Sequence, residues 1–171
     1  MRDFRIVAVA YQKNTPINEN IVRGAVDSLV SKMKSPEETV MVFRCQLDEE
    51  KTREKLDIVR ATCEKQVENL GVVVFESLKY NPSNPQEYDY LFYEISTIAK
   101  EFDITFVILL QYEKSYYYLG LRDFQAEYGK DGGIEQDIEL LISAEPLYPD
   151  KYVARVLKNR CGNIGNYLID V

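Results

Sequence analysis

The sequence predicts a three-layer α/β domain with a mostly parallel sheet that ends in an antiparallel C-terminal hairpin. Short runs of β-branched apolar residues alternate with segments whose apolar residues recur at helical spacing, as is typical of parallel strands joined by crossover helices. Near the C-terminus, two apolar runs instead flank residues 161–165, which indicates a hairpin turn. At 171 residues, with 46% apolar and 29% charged residues, the chain fits one domain over residues 1–171.

The predicted strands are short apolar runs separated by polar or glycine-containing segments. The early runs are continuously apolar, which fits strands buried on both faces of a sheet. The predicted strands are 5–11, 39–43, 71–75, 104–110, 138–143, 152–158 and 166–171.

Helices are predicted between the first four strands. The first begins after a cap at Asn18 or Asn20 and ends at Ser35-Pro36. The second begins at Asp48, with two glutamates in its first turn, and its predicted core face is Leu56, Val59, Cys63, Val67 and Leu70. The third follows a proline- and asparagine-rich loop, and its predicted core face is Tyr88, Leu91, Ile95, Ile98, Ala99 and Phe102.

The composition excludes several classes of site. The chain has no histidine, which excludes Ser-His-Asp and Cys-His catalysis and histidine-based metal sites. Its cysteines, Cys45, Cys63 and Cys161, form no C-x-x-C pair, so we expect no zinc knuckle or disulfide framework. A reducing, cytoplasmic location without a membrane span fits best. The net charge of −7 argues against a surface built mainly to bind nucleic acid.

Two motifs near the C-terminus resemble one known family. Residues 133–137 read Gly-Ile-Glu-Gln-Asp ahead of a predicted strand, and residues 158–165 read Lys-Asn-Arg-Cys-Gly-Asn-Ile-Gly after another. Both are similar to the end of the ATPase domain of DnaB-type replicative helicases. The segments 70–79 and 104–111 resemble that family's Walker B strand and the strand that ends in a phosphate-sensing glutamine. The resemblance implies a RecA-like fold of the P-loop NTPase superfamily and a link to DNA replication.

The loop after the first strand departs from the family pattern. In active members this loop is a Walker A motif, whose glycines let backbone N–H groups approach the phosphates and whose Lys-Ser/Thr pair binds phosphate and Mg²⁺. Here residues 11–18 contain no glycine, and Pro16 has no N–H. Lys13 and Thr15 are the remaining candidate nucleotide-binding residues, in a different order and spacing.

Three strand ends match the family's catalytic positions. Gln46 stands where the resemblance places the glutamate that activates water, and an amide cannot act as a general base. Glu76 matches the Walker B aspartate, and Gln111 matches the sensor glutamine. Glu76 and Gln111 are predicted to face one crevice at the carboxyl ends of neighbouring strands. The alternative is that both are ordinary polar strand ends.

Two further groups of residues have a functional and a structural interpretation. Lys158 and Arg160 match the pair that active rings insert into the neighbouring subunit's ATP site, or they are solvated charges at a hairpin. Tyr117, with Lys114 and Arg122, lies where the family places a loop that faces DNA, and could stack on single-stranded bases. The alternative is an apolar flap, which the acidic total charge favours.

The leading hypothesis is a pseudo-ATPase: a non-hydrolysing interaction or regulatory module of DNA replication that contacts helicase subunits or itself, without cofactor or metal. The first alternative is a residual ATPase subunit that binds ATP and Mg²⁺ weakly and acts inside a helicase oligomer through Lys158 and Arg160. The second is an α/β protein in which the motifs reflect ancestry alone and which serves an unrelated binding role.

Overall fold

The computed structural model describes residues 4–12, 19–66, 69–78, 85–112, 137–148, 151–160, 162 and 165–170. These form alternating strands and helices, followed by strands alone, as predicted. The elements are β1 Ile6–Gln12, α1 Glu19–Met33, β2 Thr39–Leu47, α2 Glu49–Lys65, β3 Leu70–Leu78, α3 Pro85–Phe102, β4 Thr105–Tyr112, β5 Leu140–Tyr148, β6 Lys151–Asn159 and β7 Gly165–Asp170.

The strands form one seven-stranded sheet in the order β2-β3-β4-β1-β5-β6-β7. All pairings from β2 across to β5 are parallel, whereas β5–β6 and β6–β7 are antiparallel. The predicted mostly parallel sheet with an antiparallel end is therefore confirmed. The antiparallel part is one strand wider than a single hairpin, because β5 pairs in parallel with β1 and antiparallel with β6.

The core lies in two layers, one on each face of the sheet. Helix α1 packs on one face, over a cluster made mainly of valines: Val7, Val9, Val26, Val30, Val72, Val74, Val107, Leu109 and Leu140. Helices α2 and α3 pack on the other face, over larger residues that include three phenylalanines: Phe75, Phe92 and Phe106. Since both faces are covered, the central strands are continuously apolar, as their sequences predicted.

The predicted helix boundaries agree with the structure at the start of α2 and differ at the start of α1 and the end of α2. Asp48 caps α2 by accepting a hydrogen bond from the Lys51 backbone N–H at 2.8 Å, as predicted. Glu19 already begins α1, so Asn20 lies inside the helix and is not its cap, while Asn18 lies outside the described residues. Helix α2 ends at Lys65, so Leu70 was wrongly assigned to its face and instead opens β3.

Helices α2 and α3 lie side by side and are joined by two ion pairs. Arg53 Nη1 lies 2.8 Å from Glu94 Oε2, and Arg60 Nη1 lies 2.8 Å from Glu101 Oε2. All four side chains are 35–47% exposed, so each pair contributes at most about 1 kcal/mol to stability. Among the helices of the described residues, none is both long and apolar enough to cross a bilayer.

Replacing Phe75 with alanine should destabilise the domain strongly. Phe75 is fully buried between Phe43 and Phe106, with ring centroids 5.6 and 5.7 Å away. We expect Phe75→Ala to lower the free energy of unfolding by about 3–5 kcal/mol, measured by urea denaturation. The matched control is Tyr93→Ala, since Tyr93 is 68% exposed and its removal should change stability by only about 0.5 kcal/mol. Similar losses in both variants would contradict this account of the core.

Candidate functional site

The carboxyl ends of the parallel strands meet at one edge of the sheet. Gln46 in β2 is the register partner of Ser77 in β3, next to Glu76. Gln111 lies in β4, the strand next to β3, and is the register partner of Tyr11 in β1. The backbone therefore places Gln46, Glu76 and Gln111 along the same edge, where open α/β sheets bind ligands. The structure does not describe the side chains of Gln46 and Gln111, so their roles stay predictions from the sequence.

Two adjacent β-bulges shape this edge. Between the register pairs Phe43–Phe75 and Gln46–Ser77, Arg44 and Cys45 of β2 lie opposite Glu76 alone. In β3, the two residues after Phe75 lie opposite a single residue of β4. Each extra residue bends its strand and redirects the side chains beside it. Such bulges are frequent next to functional sites, so this corner is where a site is expected.

The first bulge brings a cation to Glu76. Arg44 Nε lies 3.5 Å from Glu76 Oε1, within ion-pair distance. The Glu76 side chain is 15% exposed, whereas that of Arg44 is 65% exposed. Below the pair, a cavity of about 30 Å³ opens between α1 and the sheet, lined by Val26, Asp27, Val30, Val40, Val42, Arg44, Val74, Glu76 and Leu109. A cavity of this size holds about one water molecule.

This set of donors does not fit the magnesium ion that the resemblance implies. Mg²⁺ takes oxygen ligands at about 2.1 Å, commonly one or two carboxylates together with substrate phosphates. Here the carboxylate that would supply the ligand, Glu76, already faces the Arg44 guanidinium. Within the described residues, no group of three or more His, Cys, Asp or Glu side chains is placed to bind a metal. We therefore derive no metal-dependent step at this edge.

Several predicted binding residues lie outside the part of the chain that the structure describes. These are the nucleotide-binding candidates Lys13 and Thr15 and the nucleic-acid-binding candidates Lys114, Tyr117 and Arg122. Their assignments stay predictions from the sequence.

Lys158 and Arg160 lie in a different part of the sheet from Glu76. Lys158 pairs with Leu141, near the end of β6, and Arg160 follows that strand. Strands β3 and β6 are separated by β4, β1 and β5, so four strand spacings of about 4.8 Å put the two regions about 19 Å apart. Lys158 and Arg160 therefore cannot act together with Glu76 within one chain.

Glu139 organises the region around Arg160. Arg160 Nη1 donates a hydrogen bond to Glu139 Oε1 at 2.7 Å, and the Arg5 backbone N–H donates to Glu139 Oε2 at 2.6 Å. The backbone of Glu139 also donates to Ile6 O at 3.0 Å and accepts from Arg160 N at 3.0 Å. One largely buried carboxylate thus joins the start of β1, the approach to β5 and the end of β6.

Glu139 was not among the residues predicted from the sequence, although a signal was present. Asp137 and Glu139 are two residues apart, as are Lys158 and Arg160, and the two segments lie at the paired ends of antiparallel strands. Residues two apart on a strand share a face, so opposite charges at this spacing predict cross-strand pairs. Arg160 of the second motif is therefore bound to Glu139, two residues after the first motif, and Lys158 acts electrostatically on Asp137, the last residue of the first motif.

Asp137 faces charges of both signs. Burial raises the pKa of the Asp137 carboxyl, the Asp89 carboxylate raises this pKa further, and the Lys158 ammonium opposes the rise. Burial also raises the pKa of Asp89. Burial and the Asp89 carboxylate together outweigh the opposing effect of Lys158, so the pKa of Asp137 lies above its usual value.

The fold is similar to that of a solved ATPase domain. One solved structure of an ATPase domain superposes with a TM-score of 0.53 and 14% sequence identity, over 96% of this chain and 70% of that one. The solved structure of a DnaB-like replicative helicase, described with its interactions with primase, gives a TM-score of 0.49 and 13% identity over 96% of this chain and 48% of that one. No family model and no curated protein matches the chain. At 14% identity the likeness to the first structure establishes the RecA-like fold alone.

Glu139→Gln should destabilise the domain more than Arg160→Ala, which removes the exposed partner of Glu139. The neutral amide keeps one acceptor oxygen where the carboxylate has two, so either the Arg5 N–H or the Arg160 guanidinium faces an NH₂ group that cannot accept a hydrogen bond. We expect a loss of about 1–3 kcal/mol in urea denaturation. Arg160→Ala should cost less than about 1 kcal/mol, since the Arg160 side chain is 66% exposed. The control is Glu94→Gln on α3, whose ion pair is exposed, and an equal loss there would contradict the role of Glu139.

Asp137→Asn should raise stability at neutral pH. Because the pKa of Asp137 is raised in the folded protein, the folded state binds this proton more tightly than the unfolded state. The contribution of Asp137 therefore becomes less favourable as pH rises from its unfolded pKa of about 3.9 through the raised folded value. Thermal melts should show Asp137→Asn above the wild type at pH 7, with the gap closing near pH 4. Asp57→Asn, at an exposed site on α2, is the control, and an equal gain there would argue against this origin.

Proposed function

We propose that this chain is a RecA-fold protein of DNA replication that binds replicative helicase subunits without hydrolysing ATP. Two findings support the link to helicases. The fold is similar to that of a solved ATPase domain, and the motifs at 133–137 and 158–165 resemble the DnaB-type family.

The Arg44–Glu76 ion pair is the observation that carries the non-hydrolysing part of the proposal. Hydrolysis in this superfamily needs a metal ion beside the phosphates and a group that orients the attacking water. At this edge Glu76 is paired with a guanidinium, and Gln46 replaces the carboxylate that the resemblance assigns to water activation. The loop at 11–18 contains no glycine to bring backbone N–H groups close to a triphosphate.

The region of Lys158 and Arg160 is the proposed contact surface. Arg160 is mostly exposed, but Glu139 already orients its side chain. Less side-chain entropy is therefore lost when Arg160 binds a partner. Its remaining N–H donors suit a carboxylate or a phosphate on a neighbouring subunit. A second copy of this chain is the competing partner for the same surface.

The experiment combines ATP turnover with binding to the DnaB-type helicase of the same organism. We expect no turnover by the chain above background, and binding that Lys158→Ala/Arg160→Ala weakens at least tenfold in calorimetry. Lys32→Ala/Lys65→Ala, which removes exposed lysines from the last turns of α1 and α2, is the matched charge control. Turnover that is abolished by Glu76→Ala, or an absence of helicase binding, would refute the proposal.

A second candidate is a subunit that completes a neighbour's ATP site. The separation of Lys158 and Arg160 from Glu76 by four strand spacings is compatible with it, because a catalytic role of these residues would have to be at the site of another chain. In the same mixtures, this role requires the helicase turnover to rise when the chain is added and to return to its basal value with Arg160→Ala. Binding without any change in turnover supports the interaction module instead.

A further inference from the structure

We infer that Arg44 is a built-in counter-cation of Glu76, which occupies the place that a divalent metal ion would take at this carboxylate. The inference rests on the proposed function, since it names the residue that keeps the metal away from a non-hydrolysing site. It concerns the chain alone and needs neither nucleotide nor partner.

The burial of Glu76 creates the need for a positive group. Its side chain is only 15% exposed, so the carboxylate has lost most of its hydration. A desolvated carboxylate is tolerated where a cation or hydrogen-bond donors compensate for the lost water. A guanidinium is suited to this role because it stays protonated at all physiological pH values.

The bulge in β2 supplies the cation from the neighbouring strand. Because Arg44 and Cys45 together lie opposite Glu76, Arg44 reaches the carboxylate from directly across the pair of strands. Most of its side chain stays exposed to water while Nε approaches Glu76 Oε1. The local irregularity thus serves an electrostatic purpose at the edge where sheets of this type bind ligands.

A divalent ion would compete directly with Arg44. It would need to lie about 2.1 Å from the same oxygen atoms, close to the positive charge of Arg44 and beside a carboxylate that is only 15% exposed. Asp27 on α1 also lines the cavity of about 30 Å³ beneath the pair. Removal of the guanidinium would leave two carboxylates, Asp27 and Glu76, beside a space that holds about one water or one ion.

The test is Mn²⁺ binding to the full chain, measured by titration calorimetry and by electron paramagnetic resonance of free Mn²⁺. Arg44→Gln removes the charge and keeps polar atoms, and we expect it to bind Mn²⁺ at least tenfold more tightly than the wild type. Arg44→Lys keeps a cation and should show no gain. The double variant Arg44→Gln/Glu76→Gln should lose the gain, which assigns the ion to Glu76.

Arg53→Gln is the matched control, because it removes an arginine from an ion pair on the helical surface far from Glu76. It should leave Mn²⁺ affinity unchanged. Equal affinity of the wild type and Arg44→Gln overturns the inference, as does wild-type binding that Glu76→Gln abolishes. The second comparison decides the matter even if Arg44→Gln does not fold. Loss of helicase binding would refute the proposed function without changing the order of these affinities.

Discussion

The insertion of β1 between β4 and β5 is the contact on which the rest of the sheet depends. Residues Ile6 to Ala10 are each at most 8% exposed, and both edges of the strand are paired along its length. The start of β1 is fixed on both sides: Arg5 O accepts from Phe106 N at 2.8 Å, and Arg5 N donates to Glu139. Because β1 alone joins the β2–β3–β4 half to the β5–β6–β7 half, its register sets the position of both candidate regions.

The sequence predicts the strands and helices well because burial on both faces requires continuous apolar runs, and these are visible without a structure. It fails where a single residue changes the geometry. The bulges at Arg44 and Glu76 lie directly after the apolar runs 39–43 and 71–75, so the apolar pattern could not place them. Leu70 fits the spacing of α2 but belongs to β3, since the left-handed residue Gln66, at φ 50°, ends the helix first.

The residues of the candidate site were likewise predicted from the sequence only in part. Glu76 was predicted at a strand end and lies there, but its partner Arg44 could not be inferred from spacing, because the pair joins two strands through an irregular register. Glu139 was overlooked because the residues next to it carried the family resemblance. Residues of the two C-terminal motifs therefore also have structural contacts: Glu139, next to the first motif, binds Arg160, and Asp137 interacts electrostatically with Lys158.

The two ion pairs between α2 and α3 limit how this domain can deform. Arg53 and Arg60 are two helical turns apart, as are Glu94 and Glu101, so the pairs lie one above the other along nearly parallel axes. Two pairs in register oppose sliding of one helix along the other, because such a movement would break both pairs together. Partly exposed pairs add little stability, but two in register join α2 and α3 at two points along their length.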